Sequence, residues 1–181
     1  GSTGAIGKST IEVIEANKDD FFIAGLVAKS NEKLLTEQAE KFNVKNVCVT
    51  DQTSKNEKFI SESKMEDLIV GDQVDIVVAA ISGVVGLKTI LKAVKAGKRV
   101  LIANKEPLVA AGEILMREAE KYNSEIIPID SEHCAIHQCL QSIDKKDLSK
   151  VIITCSGGPF LGKKQKDLKE ISIEDALNHP I

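Results

Sequence analysis

Two short polar segments carry the side chains best suited to chemistry. They are Ala103-Asn104-Lys105-Glu106 and Pro128-Ile129-Asp130-Ser131-Glu132-His133. Each ends an apolar run that reads as a buried strand, Arg99–Ala103 in one case and Glu125–Ile129 in the other. Ligands of open α/β sheets bind at the carboxyl ends of the strands, so both segments stand where a ligand is expected. Asp130 and Glu132 lie two residues apart in a strand-to-helix turn, where both carboxylates can converge on one cation. Oxygen donors of this kind suit Mg2+ or Mn2+. The same pair also fits a plain helix start, where the dipole favours negative charge.

A second kind of chemistry is written at Gly1-Ser2-Thr3-Gly4-Ala5-Ile6-Gly7, which runs straight into a helical pattern. Glycines at a spacing of three permit a tight turn and a close backbone approach to a pyrophosphate, and the helix start offers its N–H groups to the phosphates. Gly7-Lys8-Ser9 resembles the end of a nucleotide-triphosphatase loop, but that motif needs a glycine at position 2, which is Ser2. The run Phe21–Ala28 ends in Lys29-Ser30-Asn31, a cation and two hydrogen-bonding side chains. This set suits the 2′-phosphate of NADPH better than the bare ribose of NADH, which an acidic residue would accept. Glu32 is expected in the first turn of the following helix.

Weaker signals complete the inventory. His133 and His137 share a helix face, yet no further ligand pattern makes a zinc site of them. Cys48, Cys134, Cys139 and Cys155 form no Cys-x-x-Cys pair and read as buried free thiols of a reducing compartment. Ser156-Gly157-Gly158 resembles a small anion nest.

The elements that must position these groups alternate between strand and helix. Helices are expected over Ser9–Ala16, Asn31–Phe42 with Asn31 as N-cap, Lys55–Ser63, Gly86–Ala96 closed by Gly97, Glu113–Tyr122 and His133–Gln141. Strands are expected over Phe21–Ala28, Val47–Thr50, Val74–Ile81, Arg99–Ala103, Glu125–Ile129 and Val151–Thr154. The strands are continuous apolar runs, which marks a parallel sheet covered on both faces. A phosphate loop normally follows a strand, so a first strand is expected to be missing before Gly1. After Gly157 the chain turns polar and rich in lysine, which places a boundary near Ser156.

Bulk composition agrees with a water-soluble α/β protein. The 181 residues are 43% hydrophobic and 28% charged, with a net charge of −3 that leaves no footprint for nucleic acid. Aromatic residues make up only 3%, too few for base stacking, and no apolar run reaches the roughly 18 residues of a membrane span.

Taken together, Gly1–Gly7, Ala103–Glu106, Pro128–His133 and Ser156–Phe160 resemble, in order and spacing, the 1-deoxy-D-xylulose 5-phosphate reductoisomerase family, across essentially the whole chain. The resemblance implies a Rossmann-like, doubly wound, mostly parallel sheet over residues 1–129, and the start of an α+β catalytic domain over 130–181. It implies NADPH and a divalent cation, Mg2+ or Mn2+, in the conversion of 1-deoxy-D-xylulose 5-phosphate to 2-C-methyl-D-erythritol 4-phosphate. Thr3, Gly4, Ala5 and Ile6 would hold the pyrophosphate, and Lys29, Ser30 and Asn31 the 2′-phosphate. Asn104 and Glu106 would lie along the cofactor, with Lys105 facing the substrate. Asp130 and Glu132 would bind the metal, with Ser131 and Glu132 also touching substrate, and Ser156 and His179 would contact its phosphate-bearing end. A third metal carboxylate and a lid are expected beyond Ile181, so the chain reads as an inactive fragment of a cytoplasmic enzyme that is a homodimer at full length. The family usually carries Ser where this chain has Pro107, which a first helical turn tolerates. Two other readings stay open: an aspartate-semialdehyde dehydrogenase type of enzyme with Cys155 as nucleophile, and a non-enzymatic nucleotide-binding module.

Overall fold

The structure, a computed structural model, describes residues 1–51, 56–154 and 157–178. It divides into two compact units, Gly1–Asp130 and Ser131–Ile181. In the first, helix and strand alternate as α1 (Ala5–Ala16), β1 (Gly25–Ala28), α2 (Glu32–Lys41), β2 (Asn46–Val49), α3 (Glu62–Val70), β3 (Ile76–Ala79), α4 (Leu87–Lys95), β4 (Arg99–Ile102), α5 (Glu106–Lys121) and β5 (Ile126–Pro128). Every strand pairing is parallel. β1 pairs with β2, with Leu26 opposite Val47, and β3, β4 and β5 form a second sheet in that order, with Val78 opposite Leu101 and Leu101 opposite Ile127.

Two cores explain why these segments fold as they do. Leu35 and Ala39 of α2 pack with Leu26 and Ala28 of β1 and Val47 of β2. Ile90, Ala93 and Val94 of α4 meet Val100 and Ile102 of β4 and Leu115 and Ala119 of α5. These helical residues recur at spacings of three and four, which gives each helix one apolar stripe. Met65 and Leu68 of α3 close a third cluster over Cys48. Burial pushes the Cys48 thiol above its ordinary pKa, so it behaves as a packing group.

The sheet is interrupted between β1 and β3. The edges of these strands that lack a ladder partner both line one apolar cleft of about 520 Å³, together with Gly1, Ile11, Ile14 and Ile90. Gly1 sits at its end: its amino group donates to Val27 O at 2.7 Å, and a Cβ there would come within 2.1 Å of Ala80 O.

Several element boundaries differ from those expected. α1 begins at Ala5, directly from the glycine loop, because Gly4 is extended (φ −78°, ψ 177°) and serves as the N-cap. Only Gly25–Ala28 of the first apolar run finds a ladder partner, and Phe22 stands 74% exposed outside it. The helix expected over Lys55–Ser63 is instead α3, Glu62–Val70. Ser61 starts it by accepting from Lys64 N, and Met65 and Leu68 anchor it by burial. α5 starts at Glu106, seven residues early, and breaks helical geometry once, at Ala111 (φ −147°, ψ 27°). Gly97 closes α4 with φ 70°, as its position past the last turn suggests.

The second unit holds α6 (Ser131–Leu140) and α7 (Ile173–Leu177), with short 3₁₀ turns between them. Val151–Thr154 forms no ladder, since the described residues of this unit offer no strand to pair with, and Ile152 is left 70% exposed. The cysteines are not uniformly buried either: Cys134 is half-buried and Cys139 exposed on α6, while Cys155 lies outside the described residues.

Candidate nucleotide and metal site

The glycine loop is fixed on the carboxyl end of β1. Ser2 N donates to Val27 O at 2.9 Å, and Gly4 N folds back onto Gly1 O at 3.1 Å. The turn has no room for a side chain at Gly7 and only tight room at Gly4. A Cβ on Gly7 would stand 2.4 Å from Gly1 O and from Ser2 Cα, and one on Gly4 would stand 3.3 Å from Gly1 O. Gly7 thus lets α1 pack directly against its own loop, the close helix packing for which the last glycine of such loops is required.

No side chain caps α1. The N–H groups of its first turn, at Ala5, Ile6 and Gly7, have no intrahelical acceptor, and the helix dipole adds positive potential there. Gly4, Ala5 and Ile6 are exposed and Thr3 half-buried. An anion of phosphate chemistry fits this place.

Lys29, Ser30 and Asn31 follow β1 directly, and all three are exposed. Asn31 has a double assignment. Its Oδ1 accepts from Leu34 N at 3.1 Å and caps α2, so what it can still offer a phosphate is the Nδ2 donor. Glu32 does fall in the first turn of α2.

Asn104, just past β4, lines the same cleft as Gly1, Ser2, Ala80 and Ile81. Its Nδ2 donates to Gly83 O at 3.1 Å, while its Oδ1 is buried without a protein partner among the described residues. Glu106 opens α5 beside it. Hydrogen bonds from its own backbone N–H, from Asn104 and from the Gly83 backbone hold its carboxyl below the usual range, with Lys105 adding a smaller electrostatic pull. Lys105 itself is exposed, and its side chain plays no part in capping α5. Gly83 is a site residue that sequence reading passed over. Its φ of 76° lets the loop after β3 turn so that one residue meets both Asn104 and Glu106. The lone glycine in Ile81-Ser82-Gly83 was the available signal.

Asp130 is half-buried just after β5, whose end is fixed by Ile129 N donating to Ile102 O at 2.9 Å. Ser131 and Glu132 are exposed and begin α6, in the second unit. Asp130 closes the first unit and Glu132 belongs to the second; carboxylates are the hard oxygen donors that Mg2+ or Mn2+ prefers. Among the described residues no three His, Cys, Asp or Glu side chains gather as a metal site. His137 Nε2 instead lies 3.3 Å from Gln141 Nε2 on the same helix. Ser156 and His179 lie outside the described residues.

Comparison with known proteins bears on the whole arrangement. The family model of 1-deoxy-D-xylulose 5-phosphate reductoisomerase matches residues 1–112, and that of its C-terminal domain matches residues 126–181. Among curated proteins, the 1-deoxy-D-xylulose 5-phosphate reductoisomerase of Thermoanaerobacter sp. (strain X514) is 43% identical over 99% of this chain and 50% of its own length. That of Lachnoclostridium phytofermentans is 44% identical over 99% of this chain and 49% of its own. The chain therefore spans about half the length of the curated relatives it matches. Among solved structures, the reductoisomerase from Zymomonas mobilis in complex with NADPH aligns with a TM-score of 0.82 at 32% identity, over 98% of this chain and 50% of that one. A further reductoisomerase, in complex with NADPH, fosmidomycin and magnesium, aligns with a TM-score of 0.77 at 35% identity, over 99% and 50%. A biliverdin reductase from Synechocystis, 21% identical with a TM-score of 0.52 over 77% of this chain and 39% of that one, shares the Rossmann-like fold alone. With family models covering both parts of its sequence, this chain belongs to the 1-deoxy-D-xylulose 5-phosphate reductoisomerase family.

Proposed function

We propose that this chain is the NADPH-binding part, with the beginning of the catalytic part, of a metal-dependent enzyme. The whole protein converts 1-deoxy-D-xylulose 5-phosphate to 2-C-methyl-D-erythritol 4-phosphate, a step of the non-mevalonate route to isoprenoids. The observation that carries the reading is the uncapped start of α1, presented by a glycine loop at the carboxyl end of β1, in one cleft with Asn104. Relatives solved with NADPH and with magnesium support it.

In this reading Thr3, Gly4, Ala5 and Ile6 hold the pyrophosphate. Lys29, Ser30 and the Asn31 Nδ2 hold the 2′-phosphate, which selects NADPH over NADH by charge. Asn104 and Glu106 lie along the cofactor and orient it. Lys105 brings an exposed positive charge to the carboxyl end of β4, where negative charge on the substrate oxygens is stabilised. Asp130 and Glu132 hold Mg2+ or Mn2+, with Ser131, Glu132, Ser156 and His179 positioning the phosphorylated sugar. When bound, NADPH supplies hydride and the cation supplies Lewis acidity. The third metal carboxylate and the lid belong to the rest of the protein, which works in the cytoplasm as a homodimer. Among the described residues no helix is long and apolar enough to cross a membrane.

Titration of the chain with NADPH and NADH tests the reading. NADPH should bind about tenfold or more tightly, the worth of one good charge-assisted contact. Equal affinity, or no binding of either, would overturn it. Turnover of the deoxyxylulose phosphate should need the full-length protein, and full activity from the 181 residues alone would refute the assignment of the missing groups.

A further inference from the structure

Gln38 lies in the buried stripe of α2, between Leu35 and Ala39 in the sequence, and is only 6% exposed. A carboxamide there is out of keeping with its apolar neighbours, because a buried polar group is costly unless it is bonded. Its bond is long-range and specific: Nε2 donates to Ser2 O at 3.0 Å, across 36 residues. Ser2 is thereby gripped twice. Its N–H donates to Val27 O of β1, and its C=O accepts from α2.

This second grip fixes the orientation of a peptide plane. The Ser2–Thr3 peptide is trans, since the described residues include no cis bond, so its C=O and the Thr3 N–H point in opposite directions. With Ser2 O drawn towards α2, the Thr3 N–H must face away from α2. Resting on the NADPH reading above, we infer that Gln38 is a positioning residue for the nucleotide, one that sets the phosphate-facing N–H of the glycine loop from the helix that also carries the 2′-phosphate residues at its start.

Such a role separates the two phosphate subsites. Losing the Gln38 donor frees the Ser2–Thr3 peptide to rotate and weakens the pyrophosphate contact. It leaves Lys29, Ser30 and Asn31 untouched, because Asn31 still caps α2. General damage to α2 would weaken both subsites together.

The experiment compares binding of NADP+ with binding of adenosine 2′-monophosphate, which lacks the pyrophosphate, in the full chain and in two variants. Gln38→Met keeps the shape without the donor and should weaken NADP+ by about tenfold, the scale of one hydrogen bond, with adenosine 2′-monophosphate unchanged. Gln38→Glu keeps the volume but sets a carboxylate against Ser2 O. It should bind NADP+ poorly at neutral pH and recover, relative to Gln38→Met, as acid protonates the carboxyl and restores a donor. NADP+ affinity unchanged in both variants, or equal loss of both ligands with no recovery in acid, overturns the inference alone. Failure of the unsubstituted chain to bind NADP+ overturns the nucleotide reading and the inference with it.

Discussion

Asn104 and Gly83 join the ends of two adjacent strands: Asn104 Nδ2, just past β4, donates to the carbonyl oxygen of Gly83, in the loop after β3, at 3.1 Å. The bond matters twice, because the same asparagine and the same glycine also help to hold the Glu106 carboxyl below its ordinary pKa. Removing Asn104 should therefore act on a neighbour's titration. In Asn104→Leu the carboxyl of Glu106 should titrate closer to its ordinary value, and unfolding stability should fall by about 1–2 kcal/mol, the cost of stranding a partly buried carbonyl. NMR titration of the Glu106 carboxyl and urea unfolding check both. An unshifted titration would show that the backbone bonds alone hold that carboxyl.

The glycines of the loop should differ in tolerance. Gly7→Ala forces a Cβ to within 2.4 Å of three backbone atoms, Gly1 O, Ser2 Cα and Ser2 O, so the turn must open. It should cost about 1–3 kcal/mol, the usual range for overpacking, and abolish tight NADPH binding. Gly4→Ala meets its nearest atom at 3.3 Å and should be far milder in stability. Thermal melts with and without NADPH rank the two; equal damage would contradict the contact geometry.

Cofactor choice should follow charge at the end of β1. Lys29→Glu should reverse the local sign beside the 2′-phosphate and cut the preference for NADPH over NADH by about tenfold to a hundredfold, or 1.4–2.8 kcal/mol. The loss should shrink in high salt, because Lys29 is exposed and its field is screened. Dissociation constants for both dinucleotides at two salt concentrations test this, and an unchanged ratio would place the 2′-phosphate elsewhere.

Acid stability should respond to Glu66. This α3 carboxylate bonds Lys92 and lies 3.1 Å from Lys88, both on α4, and these lysines hold its pKa below the ordinary value. A carboxyl with a depressed folded-state pKa stabilises the protein above its unfolded pKa, and that contribution is lost as pH falls through the folded value. Glu66→Gln should cost up to about 1 kcal/mol at neutral pH, as pairs with exposed lysines do, and should cost nothing in strong acid. Urea midpoints across the acid range give the comparison, and a pH-independent loss would point to packing instead.

Much of this arrangement was legible in the sequence because it depends on local patterns. Continuous apolar runs marked the strands, and Asn31 and Gly97 marked helix ends through chemistry that acts within one turn. The site segments were legible because they follow those strands directly. What stayed hidden depends on distant partners. Lys55–Ser63 looked amphipathic, but the helix formed at Glu62–Val70, where Met65 and Leu68 could reach Cys48. Val151–Thr154 had the composition of a strand, and the described residues of its unit offer no neighbour to pair with. Gln38 looked like any polar helix residue, since nothing in α2 itself reveals a carbonyl 36 residues away.

The interruption between β1 and β3 gives the nucleotide a mechanical task. The glycine loop hangs from the sheet of β1 and β2, and Asn104 from the sheet of β3, β4 and β5. A dinucleotide held by both, as proposed above, would act as a cross-brace over the break, and the two sheets would then separate only on its release. Ligand-linked stabilisation would then couple two halves that share no ladder among the described residues, and saturation with NADPH should sharpen the melting transition as well as raise it.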